Sequence, residues 1–233
     1  MSRSQAGRFS GEELPWYRSL WARWAQLGIG LFMYGLALAL MIQSGLGLGP
    51  WDAFHVGLHL TTGITIGMAS ILVGLIIVVG LLLMGIRPGL GTLANMVFIG
   101  VFVDLLLPVL PQPEGWVLPA VYFLAGIVLC GFATGLYIGA GLGKGPRDGL
   151  MIGISERTGW PVRRVRTLIE ISVLAGGWLM GGTVGIWTLV FALTIGPVTQ
   201  WGLQLFGISA TGAERHVRDQ ALAEESTPLR DAA

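Results

Sequence analysis

Few side chains in this 233-residue sequence could do chemistry, and most of those stand in or beside one short pattern that occurs twice. Residues 45–52 read Gly-Leu-Gly-Leu-Gly-Pro-Trp-Asp, and residues 141–148 read Gly-Leu-Gly-Lys-Gly-Pro-Arg-Asp. Glycine at alternate positions gives the backbone conformations closed to other residues. Pro50 and Pro146 are each followed two residues later by an acid, Asp52 and Asp148. Proline there opens a helix whose free N–H groups favour an anion or a polarised oxygen. One reading makes Gly47, Gly49, Pro50, Asp52, Gly143, Gly145, Pro146, Arg147 and Asp148 the lining of a substrate path, one break near each face of a membrane. The other makes the glycines packing residues and the two acids caps on their own helices.

The remaining polar candidates sit in apolar runs. Glu170 is four residues after Arg166, a spacing that pairs them on one helix face, although an acid in an apolar helix also suits a proton or substrate site. Asn95 lies deep in another run, where a neighbouring helix could satisfy its amide, and Asp104 and Gln200 lie near run ends. Asp52, His55 and His59 share a helical face that could hold a metal ion. The second copy has Met151 and Ser155 in place of the histidines, so a symmetric metal site is excluded. The glycines match no dinucleotide or P-loop pattern. No catalytic triad or metal-hydrolase spacing emerges, so neither an enzyme nor a cofactor is expected. The single cysteine, Cys130, rules out an internal disulfide.

The elements that must position these residues follow from the duplication. The two motifs keep one ungapped offset of 96 residues, and the register runs on through Gly30/Gly126, Gly35/Gly131, Gly57/Gly153, Met84/Met180 and Thr92/Thr188. Roughly a third of positions agree across about 78 aligned residues, which marks an internal repeat. The chain is 53% hydrophobic and 12% charged, with a mean hydropathy of +0.72. That leaves too little polar surface to coat a soluble globule, and a net charge of +1 offers no concentrated basic surface to nucleic acid.

An all-α membrane protein with six transmembrane helices is therefore expected. The predicted spans run from about 25 to 44, 66 to 85, 90 to 107, 116 to 140, 165 to 182 and 186 to 206. Each Gly-Pro motif opens a short broken or re-entrant helix between the first two spans of its repeat. Segments 1–24 and 208–233 read as an aromatic and basic interfacial lead, without a cleavable signal, and a disordered tail. Between them lie repeats 25–110 and 111–207. Arginine and lysine concentrate on one side when both termini are cytoplasmic. Three spans per repeat then turn the second repeat upside down relative to the first.

The two glycine motifs, Thr-Gly-Ile-Thr-Ile-Gly at 62–67, Gly-Leu-Gly-Thr at 89–92, Gly-Pro-Arg-Asp-Gly-Leu-Met at 145–151 and Gly-Pro at 196–197 resemble the YczE/YyaS/YitT family of bacterial integral membrane proteins, the YczE branch most of all. The resemblance implies a small multi-span protein of the bacterial cytoplasmic membrane, with export of small molecules as the activity suggested for some relatives. The expected function is thus a secondary transporter of a small organic solute, working by alternating access between inverted repeats, with the lipid bilayer, the solute and a second copy in a homodimer as partners. The competing expectation is a membrane scaffold that binds a partner protein through its tail.

Overall fold

The computed structural model describes residues 19–206, except residue 144, together with residue 208. The lead as far as residue 18, Lys144 and nearly all of the tail therefore lie outside the described residues. Eight helices follow one another: α1 (Leu20–Ser44), α2 (Pro50–Thr62), α3 (Ile66–Leu83), α4 (Leu90–Leu106), α5 (Val117–Gly139), α6 (Pro146–Thr158), α7 (Val162–Leu179) and α8 (Ile186–Leu205). Among the described residues there is no strand.

By length and composition, α1, α3, α5 and α8 can each cross a membrane. The apolar helix α4 has only 17 residues, and α7 carries Arg163, Arg164, Arg166 and Glu170 within its 18. The helix boundaries lie close to the predicted ones with two differences. Helix α1 starts at Leu20 because Ser19 caps it, accepting from Ala22 N, so Trp21, Arg23 and Trp24 are helical. Helix α7 starts at Val162, just after Pro161, whose fixed φ suits a helix entrance.

The 96-residue offset governs the backbone. Gly45 and Gly141 end α1 and α5 with φ of 66° and 64°, a left-handed conformation that glycine adopts without strain. Helices α2 and α6 both have 13 residues, both start at a proline with no side-chain cap, and both end at a left-handed glycine.

The offset also governs packing between the halves. Gly47 abuts the backbone of Thr188, and its counterpart Gly143 abuts Thr92, the counterpart of Thr188. Gly57 meets Met180 as Gly153 meets Met84. Gly30 meets Tyr137 as Gly126 meets Met41, and within each half Gly35 meets Phe102 as Gly131 meets Val198. In the cross-half pairs, each contact has a counterpart contact 96 residues away in the sequence. Helices α1 and α5 form the most extensive helix pair and run antiparallel: Arg23 reaches Ala140 at one end, and Met41 meets Gly126 at the other. Absent Cβ atoms let these backbones approach closely, as small residues do between membrane helices. The core lies between them, built on Leu27, Leu31, Leu38, Met41, Phe123 and Ile127, with Leu48, Ala53 and Val56 from the first motif region.

Candidate functional site

A pseudo-two-fold axis brings a residue into contact with its own counterpart only where the axis passes. Residues 51 and 147 are counterparts, and the Arg147 guanidinium carbon lies 4.8 Å from the centre of the Trp51 ring. Residues 34 and 130 are also counterparts, and Tyr34 and Cys130 are close enough to act on each other. Counterparts thus meet at the starts of α2 and α6, where polar residues from both halves collect.

Pro50 places three residues at that spot. It begins α2, and Asp52 in the first turn is buried, 5% exposed. One turn later comes His55, 2% exposed, with Nδ1 3.9 Å from Asp52 Oδ1. Trp51 packs on Ile77, Leu81 and Met151, which leaves a ring face to Arg147. A cation over an indole face is an attractive geometry.

Pro146 does the same for α6. Arg147 acts electrostatically on Asp52 and His55 in α2, Tyr34 in α1, and Tyr137 and Cys130 in α5. Asp148 acts on Tyr137. Gly145 is flanked by Asn95 Oδ1, Asp148 Oδ2 and the Tyr137 hydroxyl, a space that a side chain there would enter at 3.6 to 3.8 Å from all three. In the first half Gly49 meets the Phe191 ring instead, so the counterpart of Asn95 is apolar.

Both titratable groups of α2 are shifted by their surroundings. Burial raises the Asp52 carboxyl above its ordinary range while the Arg147 charge works in the opposite direction. Burial and then Arg147 hold the His55 imidazole well below its ordinary value, so it is neutral near pH 7.

The contact of Trp51 with Arg147 brings the starts of α2 and α6 together, with Asn95 and Asp148 beside Gly145, whereas Gly47 and Gly49 pack on Thr188 and Phe191 of α8 and Gly143 packs on Thr92 of α4. Glu170 is elsewhere. It accepts from Arg166 Nε at 2.9 Å, on an exposed stretch of α7. His59 bonds the Ile64 carbonyl at 2.6 Å and closes the end of α2. Grooves of about 320 and 150 Å³ on α6 and α7, around Trp160 and Leu168, are lined by none of the junction residues.

Sequence reasoning missed three participants. Tyr34 and Tyr137 stand in apolar runs with no motif around them. Arg23, read as a headgroup anchor, donates to the carbonyls of Ala140 and Gly141 at 2.8 and 2.6 Å and so ties α1 to the end of α5 and the second motif. The signal that could have revealed the Trp51 and Arg147 contact was their standing as counterparts of unlike chemistry.

A family described as a family of unknown function, DUF6198, matches residues 21–204. The chain is 40% identical over 184 residues to the uncharacterized membrane protein YczE of Bacillus subtilis (strain 168), covering 78% of this chain and 85% of that one. It is 38% identical over 191 residues to an uncharacterized protein of Haemophilus influenzae, covering 80% of this chain and 88% of that one. It is 30% identical over 167 residues to the uncharacterized protein YyaS of Bacillus subtilis, covering 70% of this chain and 83% of that one. No solved structure matches it. These relatives and the apolar helices identify a multi-pass membrane protein.

Proposed function

The chain belongs to the DUF6198 family, and from that premise we propose that it is a secondary transporter of a small organic solute in the cytoplasmic membrane. It works by rocking one three-span half against the other. The six spans are α1, α3, α4, α5, α7 and α8, with both termini cytoplasmic and with α2 and α6 as short helices that enter without crossing.

One observation carries this reading: Trp51 and Arg147, repeat counterparts, lie against each other across the two halves, as residues near an axis relating those halves would. Antiparallel α1 and α5 support an axis in the membrane plane, because helices that are equivalent in the two repeats point in opposite directions. A polar cluster on such an axis faces alternate sides as the halves rock, and irregular backbone at membrane depth is stable where it borders a polar site. Asp52, Asn95, Arg147 and Asp148 contact the solute, and Trp51, Tyr34 and Tyr137 provide its aromatic walls. Glu170 has no part in this path, since its carboxylate is bonded to Arg166.

The test needs no knowledge of the solute. A single reporter, Asn95→Cys in a Cys130→Ala background, is exposed to a membrane-impermeant maleimide in vesicles of each orientation. Alternating access gives labelling from both sides, and labelling from neither side removes the transporter reading.

A further inference from the structure

Building on that reading, we propose that His55 and Asp52 form a proton site that exchanges its proton for the Arg147 guanidinium, which makes the proton the ion coupling the two halves. His55 is 2% exposed, and its Nε2 has no hydrogen-bond partner among the described residues. Its other nitrogen is turned toward the carboxylate of Asp52 at 3.9 Å. Buried polar atoms are nearly always bonded, so a buried imidazole with one nitrogen near an acid and the other bare is placed to take up a proton.

The charges around it are few. Asp52 is on its own helix, and Arg147 comes from α6. Helix α3, packed against α2, has no ionisable side chain. Helix α7, also packed against α2, brings Arg163 and Arg164 near its start and Arg166 bonded to Glu170.

Arg147 and a protonated His55 are two cations that compete for one buried carboxylate. They stand on opposite halves. Motion that withdraws Arg147 removes its repulsion and frees Asp52 to stabilise the imidazolium. By reciprocity, protonation of His55 drives Arg147 off Trp51. The direction with pH is fixed by the folded-state affinity, which lies below the unfolded value of about 6.5, so the closed junction loses stability as pH falls through and below that value. Met151 is the counterpart of His55, so the second half offers no matching proton site.

Trp51 reports where Arg147 sits. The experiment records Trp51 emission in the full chain in lipid nanodiscs, taken as wild type minus Trp51→Phe, from about pH 8 to about pH 4.5, a window that brackets an ordinary imidazole. The expected result is a one-proton transition with a midpoint below about 6.5, abolished in His55→Gln. Arg147→Gln keeps the histidine and should show the acid-state emission already at neutral pH, with no transition. A flat wild-type signal, a transition that survives in His55→Gln, or an Arg147→Gln protein that still titrates like wild type overturns the proposal. Failure of the transporter reading is a different outcome: the Trp51 transition persists while the Asn95→Cys reporter stays unlabelled from both sides.

Discussion

The two halves share a backbone plan but pack differently at one place. In the first half, α3 lies against α4. Gly67 lies so close to the Gly100 carbonyl that a Cβ on Gly67 would sit 2.0 Å from that oxygen, and Gly74 receives Met96. Asp104 fastens the contact by accepting from Gly67 N at 2.7 Å and from the Thr65 hydroxyl. In the second half the counterparts are Arg163 for Gly67, Glu170 for Gly74 and Gln200 for Asp104. Helices α7 and α8 make no comparable contact, and Gly196, the counterpart of Gly100, has open space where a Cβ would point. Close helix approach needs missing side chains on both partners. The second half has long charged residues at two of those places, and one duplicated unit has given a closed helix pair in one half and an open pair in the other.

The comparison can be broken most forcefully at the tight contact. Gly67→Leu should cost about 3 kcal/mol or more, at the upper end of overpacking penalties, because the obstructing atom is backbone. Gly196→Leu should change stability by less than about 0.5 kcal/mol, as surface substitutions do. Thermal unfolding of the purified protein in one detergent measures both, and equal losses would contradict the asymmetry.

A smaller effect belongs to the fastening acid. Asp104→Ala leaves the Gly67 N–H without its charged acceptor and should cost about 1.5 to 3 kcal/mol, whereas Gln200→Ala should be near neutral. At the cross-half contact, Thr188 accepts from Leu48 N and Gly185 N at 3.3 and 3.2 Å. Thr188→Val should therefore cost about 1 to 2 kcal/mol by leaving donors unpaired.

The smallest effect is expected at the ion pair of α7. Arg166 and Glu170 are 56% and 33% exposed, so Glu170→Gln should cost only about 0.3 to 0.5 kcal/mol if water reaches the pair. A loss several times larger would place that face of α7 against another protein surface within the membrane and would sharpen the contrast between the halves.

Much of this is legible in the sequence. The Gly-Pro pattern marked the breaks, since proline without an N–H and glycine without a Cβ end and restart helices wherever they fall. The offset of 96 paired Gly47 with Gly143 and Trp51 with Arg147. It was silent on the position of the axis, and so on which counterparts would touch. His55 gave no hint of its isolation, because a histidine on a mixed face has the same spacing whether it is wet or sealed.

Composition and periodicity determined that this chain is a duplicated helical membrane protein with two interrupted helices, because hydrophobic run length and backbone-breaking residues are local properties. Only the tertiary structure decided that Arg147 comes within electrostatic reach of the Asp52 and His55 pair and that α7 stands off from α8. Those outcomes depend on how closely two surfaces distant in sequence can approach, and that distance is set jointly by side chains on both.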